Sequence, residues 1–93
     1  MDNSKVVLIE YINDIQVSVI ECGDFFKSYN VEVKSEHEVG FSQTYKYDYQ
    51  AFEVFNAICS VLKMKCKYNQ NFKRWFNEEV FTQIYYKIYC MVH

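Results

Sequence analysis

The sequence predicts an α+β fold in which a four-stranded antiparallel sheet of two hairpins is followed by two helices packed on one face. Apolar residues alternate with a period of two over most of the first 47 residues. After Tyr49 the period changes to about 3.6, which indicates helix. A length of 93 residues is typical of one domain, so residues 1–93 are predicted to form a single α+β domain.

The first hairpin is predicted from the stretch KVVLIEYINDIQVSVIE. Both arms are rich in Val and Ile, and Asn13 and Asp14 between them tolerate the positive φ of a two-residue turn. The register that follows pairs Ile12 with Ile15, Glu10 with Val17 and Leu8 with Val19. One face is then predicted to hold Val6, Leu8, Ile12, Ile15, Val17 and Val19, with Gln16 and Ser18 turned to water.

The second hairpin is predicted from YNVEVKSEHEVGFSQTYKYDY, with a looser turn near residues 36–40. Val31 and Val33 point to one side of the first arm, and Glu32 points to the other. In the second arm the aromatic residues Phe41, Tyr45 and Tyr47 alternate with Ser42, Thr44 and Lys46.

The first helix is predicted to begin after Asp48, a plausible N-cap residue. We expect its apolar stripe of Phe52, Phe55, Ile58 and Leu62 to pack on the sheet at Leu8, Val17 and Val19. The second helix is predicted from Phe72, Phe76, Val80, Ile84 and Ile88, which recur every four residues. Residues 83–92, QIYYKIYCMV, are also prone to form strands, so a closing strand is an alternative for this tail.

Composition places the chain among ordinary globular proteins, since 51% of its residues are hydrophobic and 24% are charged. Its longest early apolar run, Val6–Ile9, is too short for a signal peptide or a membrane span. We therefore expect a cytoplasmic protein without a membrane partner, in which the four cysteines are reduced.

Charge is distributed unevenly along the chain. Residues 1–53 hold four basic and ten acidic side chains, whereas residues 54–93 hold six basic and two acidic ones. Such a division points to an interaction surface.

The sequence predicts no catalytic site, no metal site and no cofactor. Cys22 and His37 form the one pairing that resembles a thiol nucleophile with a base, but the acids near Cys22 oppose a thiolate. Cys59 and Cys66 are seven residues apart on one helical stripe, which is not the spacing of zinc ligands.

Two stretches are candidates for binding. The first, KMKCKYNQNFKRW, combines basic and aromatic residues as single-strand nucleic-acid sites do. Its candidate residues are Lys63, Lys65, Lys67, Tyr68, Lys73, Arg74 and Trp75. The chain as a whole is acidic, however, and a solvated corner between two helices explains the same pattern.

The second candidate is the acidic and tyrosine-rich second hairpin, whose surface can occupy a basic protein cleft that normally holds phosphates. Its candidate residues are Glu32, Glu36, Glu38, Tyr45, Tyr47 and Asp48. Acids on exposed strand positions of an ordinary soluble surface are the plainer interpretation of any one of them.

A short, acidic chain without Pro, rich in Tyr and Phe and bearing this acidic hairpin, resembles the small inhibitor proteins of phages and mobile elements, anti-CRISPR proteins among them. The resemblance rests on size and composition and carries over no residues. It implies a non-enzymatic inhibitor that binds a nuclease or surveillance complex of its host directly. The alternative is a small nucleic-acid-binding protein that uses Lys63–Trp75.

Overall fold

The computed structural model describes residues 4–36, 38–64 and 71–92 and confirms the α+β fold. Its strands are β1 Ser4–Ile12, β2 Ile15–Cys22, β3 Ser28–Lys34 and β4 Val39–Tyr45, and they form one antiparallel sheet in the order β1-β2-β3-β4. Helix α1 is Asp48–Lys63. A second helical run comprises α2 Phe72–Trp75, a π-helical turn Phe76–Phe81 and α3 Thr82–Val92. The tail at residues 83–92 is therefore helical and not a fifth strand.

The β1–β2 hairpin has the predicted turn and register. Asn13 and Asp14 have φ angles of 50° and 67°, as a type I′ turn requires. The predicted orientation of Val6 is wrong, because a β-bulge between Val6 and Leu8 shifts the register. Val6 pairs with Ile20 and lies exposed on the face away from the helices.

The core lies between the helices and one face of the sheet, as the sequence predicts. Val17 and Val19 of β2 are buried with Phe55, Ile58 and Leu62 of α1. Around them the core is completed by Ile12, Ile15, Val31, Val33, Phe41, Tyr45, Ala51, Val54, Cys59, Phe72, Trp75, Phe76, Val80 and Ile84. The outer face of the sheet carries no described helix.

Ser18, which was predicted to face water, is buried on the outer face of the sheet. The register places it between Ile9 of β1 and Glu32 of β3. These two longer side chains flank the small hydroxymethyl group and shield it, although none of the described helices covers this face.

The π-helical turn explains how a stripe that recurs every four residues stays on one face. Four residues of an α-helix rotate the chain by about 400°, so such a stripe drifts by about 40° at each step. A π-helix closes its hydrogen bonds from i to i+5 and has a wider turn, which corrects the drift. Phe72, Phe76, Val80 and Ile84 are all buried as a result. The side chain of Ile88, the fifth residue of the predicted stripe, lies outside the described set.

Truncation of Phe55 tests the assignment of the core. We expect Phe55→Ala to lower the free energy of unfolding by about 3–5 kcal/mol, because the substitution leaves a cavity between α1 and the sheet. The matched control is Phe25→Ala, since that side chain is 96% exposed and its loss should change stability by less than about 0.5 kcal/mol. Chemical denaturation measures both values, and equal losses in the two variants would contradict this core.

Candidate protein-binding surface

The predicted partner-binding residues do not form one surface. Glu32 lies in the middle of the β3–β4 hairpin, opposite Ser42. Glu36 and Glu38 belong to the connection between the two strands, at one end of the hairpin. At the opposite end are the remaining three residues, Tyr45, Tyr47 and Asp48.

Tyr45 is buried, so its predicted place on a binding surface is wrong. Only 2% of the residue is exposed, because Tyr45 shares the helix-facing side of β4 with Phe41. The alternation along this strand was predicted correctly, but its aromatic side chains point into the core. Burial raises the pKa of Tyr45 to about 12, and its hydroxyl has no hydrogen-bond partner in the described part of the chain.

Glu38 holds the second helical run in place. The backbone N–H of Lys73 donates a hydrogen bond to Glu38 Oε1 at 3.1 Å, close to the start of α2. Asn71 supports the same helix start, since its Oδ1 accepts from the Arg74 N–H at 2.9 Å. The Glu38 carboxylate therefore has an intramolecular role that the sequence did not reveal.

The remaining acids of the hairpin differ in their surroundings. Glu32 is half-buried on the outer sheet face, where its Oε1 lies 3.9 Å from Lys34 Nζ. Glu36 is exposed in the β3–β4 connection. Neither residue is close in the register to Tyr47 or Asp48, so a single contact surface does not contain all four.

Tyr47 and Asp48 form the start of α1. The N-cap is Tyr47 and not Asp48, which corrects the prediction, and the Tyr47 N–H donates to Gln50 Oε1 at 3.3 Å. Asp48 is the first helical residue, where its carboxylate accepts from the Tyr49 N–H at 2.7 Å. The Tyr47 and Tyr49 rings are exposed and stacked, with centroids 5.8 Å apart, and Lys46 Nζ lies 5.5 Å from the Tyr47 centroid.

The basic stretch is less available than its composition suggests. Lys63 Nζ lies 3.4 Å from Glu10 Oε1, and Arg74 Nε lies 3.1 Å from Glu78 Oε1. Trp75 is only 7% exposed and stacks on Phe72, so its predicted role in stacking a base is wrong. Lys73 is exposed. The other candidates, Lys65, Lys67 and Tyr68, lie outside the described residues.

Two phenylalanines that the sequence analysis passed over are the most exposed apolar side chains of the described chain. Phe25 and Phe26 occupy the turn between β2 and β3 and are 96% and 95% exposed. Gly23 has a φ of 100°, and a Cβ at this position would lie 2.5 Å from the Phe26 carbonyl oxygen. The sequence did contain a signal for this turn. Two consecutive Phe residues lie between Gly23 and Ser28, in a connection that is too short to fold back on the sheet.

The phenylalanine turn and the start of α1 lie at the same end of the sheet. Tyr29 follows the turn and pairs with Tyr45, two residues before Tyr47. Its ring lies 6.5 Å from that of Phe52 in α1. We call Phe25, Phe26, Tyr47 and Tyr49 the aromatic end.

Carboxylates surround the aromatic end. Burial raises the pKa of the Tyr29 hydroxyl, and the neighbouring charges of Glu21 and Asp48 raise it further. The carboxylates of Glu21 in β2 and Asp48 in α1 thus both act on the Tyr29 hydroxyl. Glu21 also pairs with Lys27 at 3.3 Å.

Cys22 and Cys59 are free thiols in the described part of the chain. Burial raises the pKa of Cys59 to about 12, and a hydrogen bond to Glu10 adds to this effect. The Cys22 thiol donates to the Ile20 carbonyl at 3.9 Å, and His37 lies outside the described residues. No group of three or more His, Cys, Asp and Glu side chains suited to a metal occurs in the described ranges.

The orphaned hydroxyl of Tyr45 makes stability depend on pH. Because the pKa rises from about 10 to about 12 on folding, the neutral phenol favours the folded state, and this contribution is lost as the pH rises from 10 to 12. We expect Tyr45→Phe to be more stable by about 1 kcal/mol at neutral pH and to lose less stability over that window. Denaturation at pH 7, 10 and 12 compares the two proteins; Cys59, which also titrates late, is common to both. A parallel loss in both proteins would contradict the assignment.

No described helix is long and apolar enough to cross a membrane. Comparison with family models, with curated proteins and with solved structures gives no match to this chain.

Proposed function

We propose that this chain is a non-enzymatic protein-binding inhibitor of the anti-CRISPR type, which acts in the host cytoplasm. It blocks a nucleic-acid-processing complex by occupying a basic cleft, and its contact surface is the aromatic end. The single observation that carries the proposal is the exposure of Phe25 and Phe26 on a turn that Gly23 fixes.

The two phenylalanines supply the apolar part of such a contact. Burial of an exposed Phe side chain contributes about 1.5–3 kcal/mol, so the pair supplies about 3–6 kcal/mol to binding. Tyr47 and Tyr49 add rigid aromatic area with hydroxyl groups at the rim, a composition typical of protein-binding hot spots.

The charges around the aromatic end favour a basic partner. Asp48 lies within α1 beside the stacked tyrosines, and Glu21 and Asp24 lie next to the phenylalanine turn. The cations nearby are partly engaged, since Lys27 pairs with Glu21 and Lys46 lies over the Tyr47 ring. A cleft that normally holds phosphates has the complementary charge.

Of the originally predicted set, Tyr47 and Asp48 belong to the proposed contact surface. Glu32 and Glu36 lie elsewhere on the hairpin, while Tyr45 and Glu38 serve the fold itself. The alternative of direct nucleic-acid binding retains only Lys73 among the described basic candidates, because Lys63 and Arg74 are paired with carboxylates and Trp75 is buried.

The test replaces both phenylalanines with serine. In a DNA-cleavage assay with a panel of guide-loaded CRISPR nucleases, we expect the natural protein to inhibit at least one member. Phe25→Ser/Phe26→Ser should weaken that inhibition by about 100-fold or more, since about 3 kcal/mol of apolar burial is lost. Stability should change little, because the side chains are already in water.

The matched control is Val6→Ser/Tyr11→Ser, which removes two exposed apolar side chains from the outer sheet face. This variant should inhibit as well as the natural protein. Failure to inhibit any nuclease of the panel, or equal inhibition by both double variants, would overturn the proposal. Binding to phospholipid vesicles that depends on the two phenylalanines would also count against it, since it would assign the turn to a membrane surface.

A further inference from the structure

Strand β4 is an edge of the sheet that no charged residue protects against strand addition. Its seven residues, VGFSQTY, contain neither a charged residue nor Pro. The opposite edge, β1, carries Lys5 and Glu10 and is interrupted by the bulge between Val6 and Leu8. Both edges contain an irregularity, since the register of β4 with β3 skips Gly40, but only β1 also carries charged residues, which are a common means of blunting an exposed edge.

An open cavity of about 410 Å³ runs along β4. Five consecutive strand residues line it, from Val39 to Gln43, together with Lys73 and Asn77. Phe41 and Gln43 share one face of β4 and Ser42 points to the other, so a cavity that touches all three follows the strand edge. The wall on its other side is the second helical run.

A second open cavity of about 410 Å³ continues this space toward the β3–β4 connection. It shares Lys73 and Asn77 with the first cavity and is lined in addition by Glu38, Asn71, Arg74 and Glu78. We call the first of these cavities, the one along β4, the β4 groove.

The wall of the β4 groove is held close to the strand. A Cβ at Gly40 would lie 2.6 Å from the Phe72 ring, so the ring fills the space where a side chain would stand. The Glu38 carboxylate fixes the Lys73 N–H at the same place. The groove is therefore built from backbone and ring contacts and does not depend on loosely placed side chains.

Charge identifies the occupant. Lys73 is the one charged residue among the described residues that line the cavity along β4, and its ammonium group makes no ion pair in the described part of the chain. Alternate residues of an edge strand leave their N–H and C=O groups without a neighbouring strand. The complementary ligand is an extended peptide that carries a carboxylate.

We propose that the β4 groove binds an extended, acidic segment of a partner protein, which joins the sheet as a fifth strand with its carboxylate at Lys73. Main-chain hydrogen bonds to β4 supply affinity, and the ion pair with Lys73 sets the register. This site is separate from the aromatic end and does not rest on the function proposed above.

A second copy of the chain fits the groove less well. Antiparallel pairing of two β4 strands about Ser42 would place the Tyr45 end of one strand, followed by Lys46, beside Lys73 of the other. Two ammonium groups would then face each other, which opposes association. An acidic partner strand avoids this repulsion.

The test selects ligands from a displayed library of linear peptides against the full chain. We expect enriched peptides to alternate apolar and polar residues over about five to seven positions and to contain Asp or Glu. Ser42→Glu, which places a charge of the ligand's own sign on the edge, should weaken a selected peptide by about tenfold or more. Val6→Glu is the matched control, since it places the same charge on the exposed β1 edge and should leave affinity unchanged.

Reversal of the charge in the groove distinguishes recognition from a general effect on folding. Lys73→Glu should reverse the preference, so that a version of the selected peptide with Lys in place of its acidic residue binds better than the original. Absence of enriched peptides, or equal affinity for Ser42→Glu and Val6→Glu, would overturn the proposal. So would loss of peptide binding in Phe25→Ser/Phe26→Ser, or a dimer of the natural chain that Ser42→Glu dissociates.

Discussion

The seating of Phe72 on Gly40 joins the two halves of the molecule. The Phe72 ring occupies the volume where any other residue at position 40 would carry its Cβ, and so the second helical run lies directly against β4. The Glu38 carboxylate, two residues earlier in the chain, holds the Lys73 N–H next to this contact. Strand, connection and helix are thereby fixed to one another within a few residues. The β4 groove exists because this contact brings a helix alongside a strand edge without covering it.

The same contact begins the buried stripe of the second helical run. Phe72 stacks on Trp75, and Phe76 follows at a centroid distance of 6.3 Å from Phe72. Phe41 of β4 lies 5.7 Å from both Phe76 and Phe81, at the two ends of the π-helical turn. A regular α-helix would rotate this stripe away from the sheet. The wider π-helical turn keeps the stripe facing β4.

Local patterns in the sequence were sufficient for most of the fold. Asn13 and Asp14 specify their turn through positive φ, and this turn fixes the pairing of β1 with β2. The bulge at Val6 was not predictable in this way, because alternation by itself does not reveal an extra residue in one strand. The π-helical turn was not predictable either: the spacing of Phe72, Phe76 and Val80 indicates a helix, and Val54, Ile58 and Leu62 recur at the same interval in the regular helix α1.

The candidate surface was harder to predict, because charge and aromatic content do not show which face of a strand points outward. Tyr45 and Glu38 look like surface residues in the sequence, yet one fills the core and the other holds a helix start. The role of Glu38 depends on a helix that begins more than thirty residues later, Lys73 being 35 residues from Glu38. Phe25 and Phe26 were not predicted to lie at the surface, because two consecutive Phe residues normally indicate a buried segment.

The two exposed features of the molecule lie at opposite ends of one strand. Strand β4 starts at Val39, which lines the β4 groove. It ends at Tyr45, two residues before Tyr47 of the aromatic end. At about 3.3 Å per residue the strand covers about 23 Å, a length that a partner segment of similar size matches. An added strand would therefore run from Lys73 toward the stacked tyrosines. The phenylalanine turn lies at the same end of the sheet, between β2 and β3. A partner that extends beyond the groove would therefore meet an apolar surface with carboxylates beside it. Charge-free edges and exposed Phe side chains both favour aggregation unless they are covered, and for this reason each of the two proposals places a partner on one of them.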